Sequence, residues 1–556
     1  MSDQKQKNIL HMMYDKDGYP TWRTELSPEE NKVRATVIVP PDTVIPVVFV
    51  PGIMGSNLKL KKTLKWFNDK KDIAWRPSYR YFTGKTFGDL KPAQRRMVLD
   101  PENTELDERG EIPSSIIQLF KNVPPHVQTN WKSEFTRRGW GTVMLSSYSE
   151  ILYNLELNLN SIYGHDQEVS NYWKNSIVGV TASKNSNGES KHPWGEMTGY
   201  EALSMDDLKE KVGDKYWFPV HAAGYNWLRS NEDAGKDIAE RIKKIIKHYQ
   251  DLKFDCEKVI IVTHSMGGLA ARAACHADMG NIAGKVAGVV HGEQPALGAA
   301  AAYKRMHAGF EADGWLGSIF ARALGKTGRE VTAVLANARG GLELLPNKRY
   351  PAGWLQLQAG HTIEMQLPKS NPYKEIYAEK DKWWRLTTPE WIEPSNQPIP
   401  NFLLNSIWNR YLKRLALVEK FHDKLGHYYH DITHAHYGVD RNHRAWCNFT
   451  WILQYAFRKT TLTDAANAEL IDDDAMGKMT IKAHFESYGY NKSEYIKSDT
   501  DQPGDGTVPE ISGADSASKA KFSSKMTGFS HQDSYSIKSV KDVTTYSVAR
   551  IARDVC

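Results

Sequence analysis

The sequence predicts an α/β protein, with a mostly parallel central sheet, helices on both faces and two large cap or lid insertions. Three observations predict it. Short apolar runs alternate with helical patterns, several of the runs end in glycine-bearing turns, and long aromatic-rich stretches interrupt these compact β-α-β signals. At 556 residues the chain exceeds the roughly 250 to 300 at which a single core stops growing, so an elaborated core or second lobe is expected.

The first strand is read at Pro46 to Val50, running straight into the turn Pro51-Gly52-Ile53-Met54-Gly55-Ser56. The second begins at Phe218 and runs through Val220 and His221 to the polar aromatic segment Tyr225-Asn226-Trp227. A helix follows: Ser230 and Asp233 form a capping pattern, and Ala234, Ile238, Ile242, Ile245 and Tyr249 recur on one face. Then come a strand at Lys258 to Val262, the turn His264-Ser265-Met266-Gly267-Gly268, a small-residue helix from Leu269 to Ala277, and a strand from Val286 to Val290. In a sheet of this kind ligands bind at the carboxyl ends of the strands, where these turns fall.

The boundaries drawn on this pattern are 1–60 for the first core segment, 61–214 for a first insertion, 215–310 for the central core, 311–494 for a second insertion and 495–556 for the last core segment. The second insertion carries Trp383, Trp384, Trp391, Trp408, Trp446 and Trp451, read either as a lid surface or as filling for the insertion's own core.

Composition narrows the function classes. Hydrophobic residues make up 40% and charged residues 25%, a globular profile, and 72 Lys+Arg against 66 Asp+Glu leaves only +6, which argues against nucleic acid as a partner. The N-terminal stretch has no apolar region suited to a secretory signal, and no run has the length of a membrane span; a soluble protein that leaves the cytoplasm by an unconventional route is expected. Cys256, Cys275, Cys447 and Cys556 lack paired redox or metal spacing, which fits a reduced compartment, although a disulfide between two of them stays open.

An alcohol is a poor nucleophile at neutral pH, so a hydrolytic serine needs a base, a group to orient that base, and donors for the oxyanion. Thr263-His264-Ser265-Met266-Gly267, between an apolar strand and a helix, has the strand-turn-helix context of the G-x-S-x-G nucleophile elbow, with Thr263 in place of the first glycine. Ser265 is therefore the candidate nucleophile, and the backbone amides of Met266 and Ile53 are the candidate oxyanion hole. In the usual order of Ser, acid and His, Asp505 is the acid, between Gly504 and Gly506, with Asp499 and Asp501 as nearby substitutes. The base is His531, the last histidine of the chain.

These segments resemble the lecithin:cholesterol acyltransferase and lysosomal phospholipase A2 family of α/β-hydrolases: PVVFVPGIMGSNLKL its oxyanion-loop segment, AAGYNWLRS its A-x-Y-D-W-R strand end, THSMGG its elbow and GDGTVP its acid loop. Asn226 stands where that family has aspartate. The runs HGEQPALGAAAAYKRMHAGFE and LELLPNKRYPAGW are more similar to bacterial phospholipase effectors delivered by type VI secretion. The resemblance implies an α/β-hydrolase fold, a serine esterase of phospholipase A type acting on membrane phospholipid, and an antibacterial effector. Such an effector resides in the producing cell's cytoplasm until it is exported to a rival's periplasm or membrane, with an immunity protein and the secretion apparatus as partners. An acyltransferase or neutral-lipid esterase of the same fold is the alternative. No cofactor is expected.

Two further groups stand out. His427, His430, His434 and His436, with Asp423, Asp431 and Asp440, are dense enough to suggest zinc, but their spacing matches no standard ligand pattern, so polar packing is preferred and no metal is expected. His436 is alternatively placed at the active-site mouth. Trp75, and likewise Arg137 and Arg138, read either as parts of a lipid-touching lid or as buried residues.

Overall fold

The structure is a computed structural model that describes residues 43–64, 66, 72–77, 89–116, 131–163, 168–184, 190–213, 215–311, 321–454, 464–485 and 489–555, with three short strands before residue 43. Its centre is a seven-stranded sheet. In chain order the strands are β1 (Val47–Val50), β2 (Glu196–Thr198), β3 (Val220–Ala222), β4 (Val259–His264), β5 (Val286–Gly292), β6 (Thr433–Gly438) and β7 (Phe522–Met526). They lie side by side as β2-β7-β6-β5-β4-β1-β3, and every neighbouring pair is parallel except the antiparallel edge of β2 on β7.

Strands β1, β4 and β5 are buried along their whole length, so their near-continuous Val/Ile runs are what a sheet covered on both faces requires. Helix α2 (Asn231–Asp251) packs on α3 (Gly267–Cys275), while α1 (Leu145–Leu159) packs on α7 (Lys538–Asp554), the latter also lying against β4, β5 and β6. Ser230 caps α2 as its spacing predicts, its side chain accepting from the Asp233 amide at 3.1 Å. Above the strand ends, α4 (Ala300–Ala308) packs on α5 (Gly328–Leu335), and the helix Pro92–Val98 packs on α5 in turn.

The expected boundaries need correction. Residues 311–494 do not all stand outside the sheet, because β6 is one of its inner strands; residues 61–214 likewise supply the edge strand β2 and the sheet-flanking helix α1. Strand β6 reads Thr-His-Ala-His-Tyr-Gly and looks polar, yet all six residues are buried. Much of the remainder of the second insertion builds a separate six-stranded mixed sheet, centred on Phe449–Leu453 and Gly489–Lys497, and the helix α6 (Asn401–Leu425). All six of its singled-out tryptophans are buried, so they fill cores rather than offer a lid surface. Trp383 and Trp384 each donate an indole N–H to a main-chain carbonyl, of Ala465 and Glu375 respectively.

Trp75 is also a core residue. It is fully buried, donates its indole N–H to the Met54 carbonyl at 2.7 Å and meets Trp227 edge to face. Arg138 is equally hidden, its guanidinium tied to Glu134 and Glu156, and Arg137 pairs with Glu134. The lid readings of Trp75 and Arg138 therefore give way to the buried ones, while Arg137 stays exposed at the surface, held by Glu134. Cys256, Cys275 and Cys447 are free thiols, while Cys556 lies outside the described residues. Among the described residues no helix is long and apolar enough to cross a membrane.

Burial leaves an acid-sensitive fold. It drives the imidazoles of His264 and His422 down to about 4, those of His291 and His434 to about 3, and that of His221 well below its ordinary value. In the unfolded chain each titrates near 6.5, so between those values the unfolded state binds more protons, and stability falls as pH falls. Each of the five contributes up to about 1.4 kcal/mol per pH unit in that window. Urea midpoints are expected to be level above about pH 7 and to drop steadily from pH 6.5 to 4.5; a midpoint that does not move over that interval would contradict the assignment.

Candidate active site

The site is assembled at the carboxyl ends of β1, β4 and β5. Strand β4 ends in a sharp turn in which Ser265 adopts a left-handed backbone, φ 53°, a conformation that costs a non-glycine residue about 1–2 kcal/mol. The turn is held by the Ser265 N–H on the Gly292 carbonyl and the Gly268 N–H on the Ser265 carbonyl, both 2.9 Å. It also requires a residue without a side chain at Gly267, where a Cβ would sit 2.4 Å from the Val50 oxygen and 2.5 Å from that of Pro51. Helix α3 thereby docks against the turn that follows β1. Thr263 is accommodated by the neighbouring strand rather than by a helix: it sits opposite His291, and its hydroxyl meets His291 Nδ1 at 3.1 Å.

Three of the sequence-predicted residues meet here. Ser265 Oγ lies 2.8 Å from His531 Nε2, and His531 Nδ1 lies 2.8 Å from Asp505 Oδ2. The facing carboxylate places the proton on Nδ1, which leaves Nε2 free to accept from the Ser265 hydroxyl. All three side chains are buried, at 4%, 4% and 1% exposure, so the charge arrangement is shielded from water. The second oxygen of Asp505 accepts from the Thr507 and Val508 amides at 3.0 and 2.7 Å, and its carbonyl accepts from the His531 amide at 2.7 Å. The acid and base loops are thus tied together by main chain as well as side chain.

Asp501 is turned away to other work. Its carboxylate accepts from the Cys447 and Asn448 amides and from the Asn448 side chain, pinning a loop of the second insertion. Asp499 is exposed.

Ile53 lies beside Ser265 at the cavity, and Met266 follows it in the elbow. Among the described residues, neither main-chain amide has a hydrogen-bond acceptor within the protein. The cavity is apolar, walled by Met54, Met306, Phe310, Leu324, Leu335 and Leu344, and holds about 60 Å³.

His436 is not at the mouth. It is buried behind the site, its Nδ1 2.9 Å from Glu293 Oε1 and its Nε2 3.1 Å from the Thr544 hydroxyl. His434 packs on Phe522, and His430 interacts with the main chain of Ile432, so the histidine-rich stretch is taken up by strand packing. Among the described residues no group of three His, Cys, Asp or Glu side chains is placed to hold a metal.

A Ser-His-Asp arrangement at the strand ends of a mostly parallel sheet, with the serine on a strained strand-to-helix turn, decides the architecture. The fold is that of an α/β-hydrolase. Residues 232–313, which include the elbow, match the family model described as "PGAP1-like alpha/beta domain". Among solved structures, one titled "The crystal structure of Tle4-Tli4 complex" superposes with a TM-score of 0.71 at 26% identity, covering 91% of this chain and 98% of that one. No curated protein matches the sequence.

Three residues around the α/β-hydrolase elbow escape sequence reading. Tyr148 reaches the site from the expected first insertion, its hydroxyl accepting from the Gly52 amide at 3.1 Å and meeting His264 Nδ1 at 2.8 Å. Glu293, fully buried with a left-handed backbone of φ 50°, holds His436 and the Ser534 hydroxyl. For His264 the sequence shows only a place in the elbow motif. Glu293 carries a signal of its own, a carboxylate immediately after an apolar strand, and Tyr148 carries none. Asn226 has a local reason for not being aspartate: its amide donates to the Thr104 carbonyl at 3.0 Å, which a carboxylate cannot do.

Proposed function

We propose that the chain is a serine esterase of phospholipase A type, acting through an acyl-enzyme on Ser265. The observation that carries this reading is the 2.8 Å contact of Ser265 Oγ with a histidine itself held 2.8 Å from a buried carboxylate, beside an apolar cavity. As Oγ attacks the ester carbonyl, His531 Nε2 takes its proton. The oxyanion that forms is received by the Ile53 and Met266 amides. Collapse expels the lysolipid alkoxide, which takes the proton back from Nε2, and water repeats the sequence to release the fatty acid.

The walls support a fatty-acyl ester as substrate. At about 60 Å³ the cavity accommodates two water-sized groups, on a share of about 30 Å³ each, so a long chain must extend through the mouth or spread Phe310, Leu324 and Leu335. The likeness to Tle4, solved in complex with Tli4, and the sequence resemblance to secreted phospholipase effectors favour delivery into a rival cell and neutralisation by an immunity protein.

Incubation of purified protein with phosphatidylethanolamine/phosphatidylglycerol vesicles is expected to release free fatty acid and lysophospholipid in equal amounts, read by mass spectrometry. Acyl chains appearing instead on an added alcohol or sterol would favour the acyltransferase, and turnover of acylglycerols alone would favour the neutral-lipid esterase.

A further inference from the structure

We propose that His264, the residue before the nucleophile, is a positioning residue that holds the oxyanion turn and the general-base loop in register about Ser265. The proposal rests on the catalytic reading above and adds to it a part for a histidine outside the triad.

Its two ring nitrogens face different segments. Nε2 lies 2.9 Å from the His531 carbonyl, which can only accept, so Nε2 carries the proton. Nδ1 is then an acceptor, and the group 2.8 Å away is the Tyr148 hydroxyl, which donates to it and in turn accepts from the Gly52 amide at 3.1 Å. The result is one directed chain: Gly52 N–H to Tyr148 O–H to His264 Nδ1, then Nε2–H to the His531 carbonyl. Its ends are the residue preceding the Ile53 amide and the main chain of the general base. Positions 52, 148, 264 and 531 are far apart in sequence, so nothing local would hold these ends together.

Packing fixes the ring in this orientation. His264 and Tyr148 are both buried, the His264 ring centroid is 5.6 Å from those of Tyr148 and Tyr535 and 5.1 Å from that of His531, and a Cβ on Gly52 would come within 3.2 Å of Nδ1. The ionisable groups facing it are His531, Glu293, Asp505, Tyr148 and Tyr535. Glu293 Oε2 is 4.0 Å from Nε2, but its oxygens are already engaged by His436 and Ser534. Burial and the adjacent His531 push the His264 imidazole down to about 4 against the pull of Glu293 and Asp505, so it is neutral at neutral pH. A neutral ring suits the place: it accepts from Tyr148, and it adds no positive charge beside His531 when that residue takes up the serine proton. No bond leads from His264 to the serine oxygen, so it does not act as a second base.

The test uses Tyr148→Phe, His264→Phe, the pair combined, and His264→Gln, which keeps an N–H within reach of the His531 carbonyl. Each is assayed on a soluble short-chain ester across pH, with folding followed by circular dichroism and thermal melting. Tyr148→Phe and His264→Phe are each expected to lower kcat about 10- to 100-fold with KM within about two-fold, less than the about 10²- to 10³-fold that follows loss of an oxyanion donor itself. The double variant should be no worse than the poorer single by more than about three-fold, because both cut one chain. His264→Gln should recover most of the loss and keep the acid limb of the kcat profile at the parent's pH. A folded His264→Phe or Tyr148→Phe with kcat within two-fold of parent, strictly multiplicative effects, or a His264→Gln no better than His264→Phe would overturn the proposal. Should Ser265→Ala, run alongside, match the parent, it is the underlying catalytic reading that fails.

Discussion

Ser265→Ala is expected to lower ester turnover by about 10⁶-fold while leaving the fold intact, the scale seen when the nucleophile of a serine triad is removed. The side chain it removes is one oxygen, 2.8 Å from His531 and 4% exposed, so the change leaves neither a large cavity nor a buried charge without its partner: His531 keeps Asp505. Alanine must still adopt the φ of 53° that the elbow imposes, so the strain of the turn persists. Ser265→Gly separates the two effects. It should be as inactive as alanine but more stable than it by about 1 kcal/mol, since glycine takes the left-handed region without penalty. Turnover on a chromogenic ester and covalent labelling by a fluorophosphonate measure the first effect, and urea midpoints the second. Labelling of a folded Ser265→Ala protein at the parent's rate would remove Ser265 from the mechanism.

What could be read from the sequence was local, and what could not was held by distant partners. The elbow declares itself through an apolar strand ending in Ser265 and two glycines, and the structure explains why each is needed: Gly267 abuts the Val50 and Pro51 carbonyls, and Gly268 the Gln294 side chain. Strand β6 shows the opposite case. Its sequence, with two histidines and a threonine in six residues, carries no apolar signal, and what lets His436 be buried there lies far along the chain, in Glu293 and Thr544. Read locally, it is a histidine cluster inside an insertion. Trp75 and Tyr148 fail to announce themselves for a related reason: large amphipathic rings serve a lid and a core equally well, and only the partner of the polar end, the Met54 carbonyl or the Gly52 amide, tells which.

The choice among the three aspartates turns on geometry that flanking glycines only hint at. Asp505→Asn is expected to cut turnover by about 10⁴-fold with little change in KM, as in the analogous triad of a serine protease. In the parent, Oδ1 receives the Thr507 and Val508 amides and Oδ2 faces His531 Nδ1. An asparagine keeps its oxygen on those two amides, because they are donors, and so must present its NH₂ to His531. The imidazole is then driven to the tautomer with its proton on Nε2, where it can no longer accept from Ser265. Asp501→Asn tests the contrast. That residue's oxygens receive the Cys447 and Asn448 amides, so its replacement should lower the melting temperature and leave the turnover of the folded protein within a few-fold of parent. Parallel kcat measurements on the two variants decide the assignment: a larger loss for Asp501→Asn than for Asp505→Asn would move the acid of the triad to the wrong side of the loop and break the link between His531 and the buried carboxylate on which the mechanism depends.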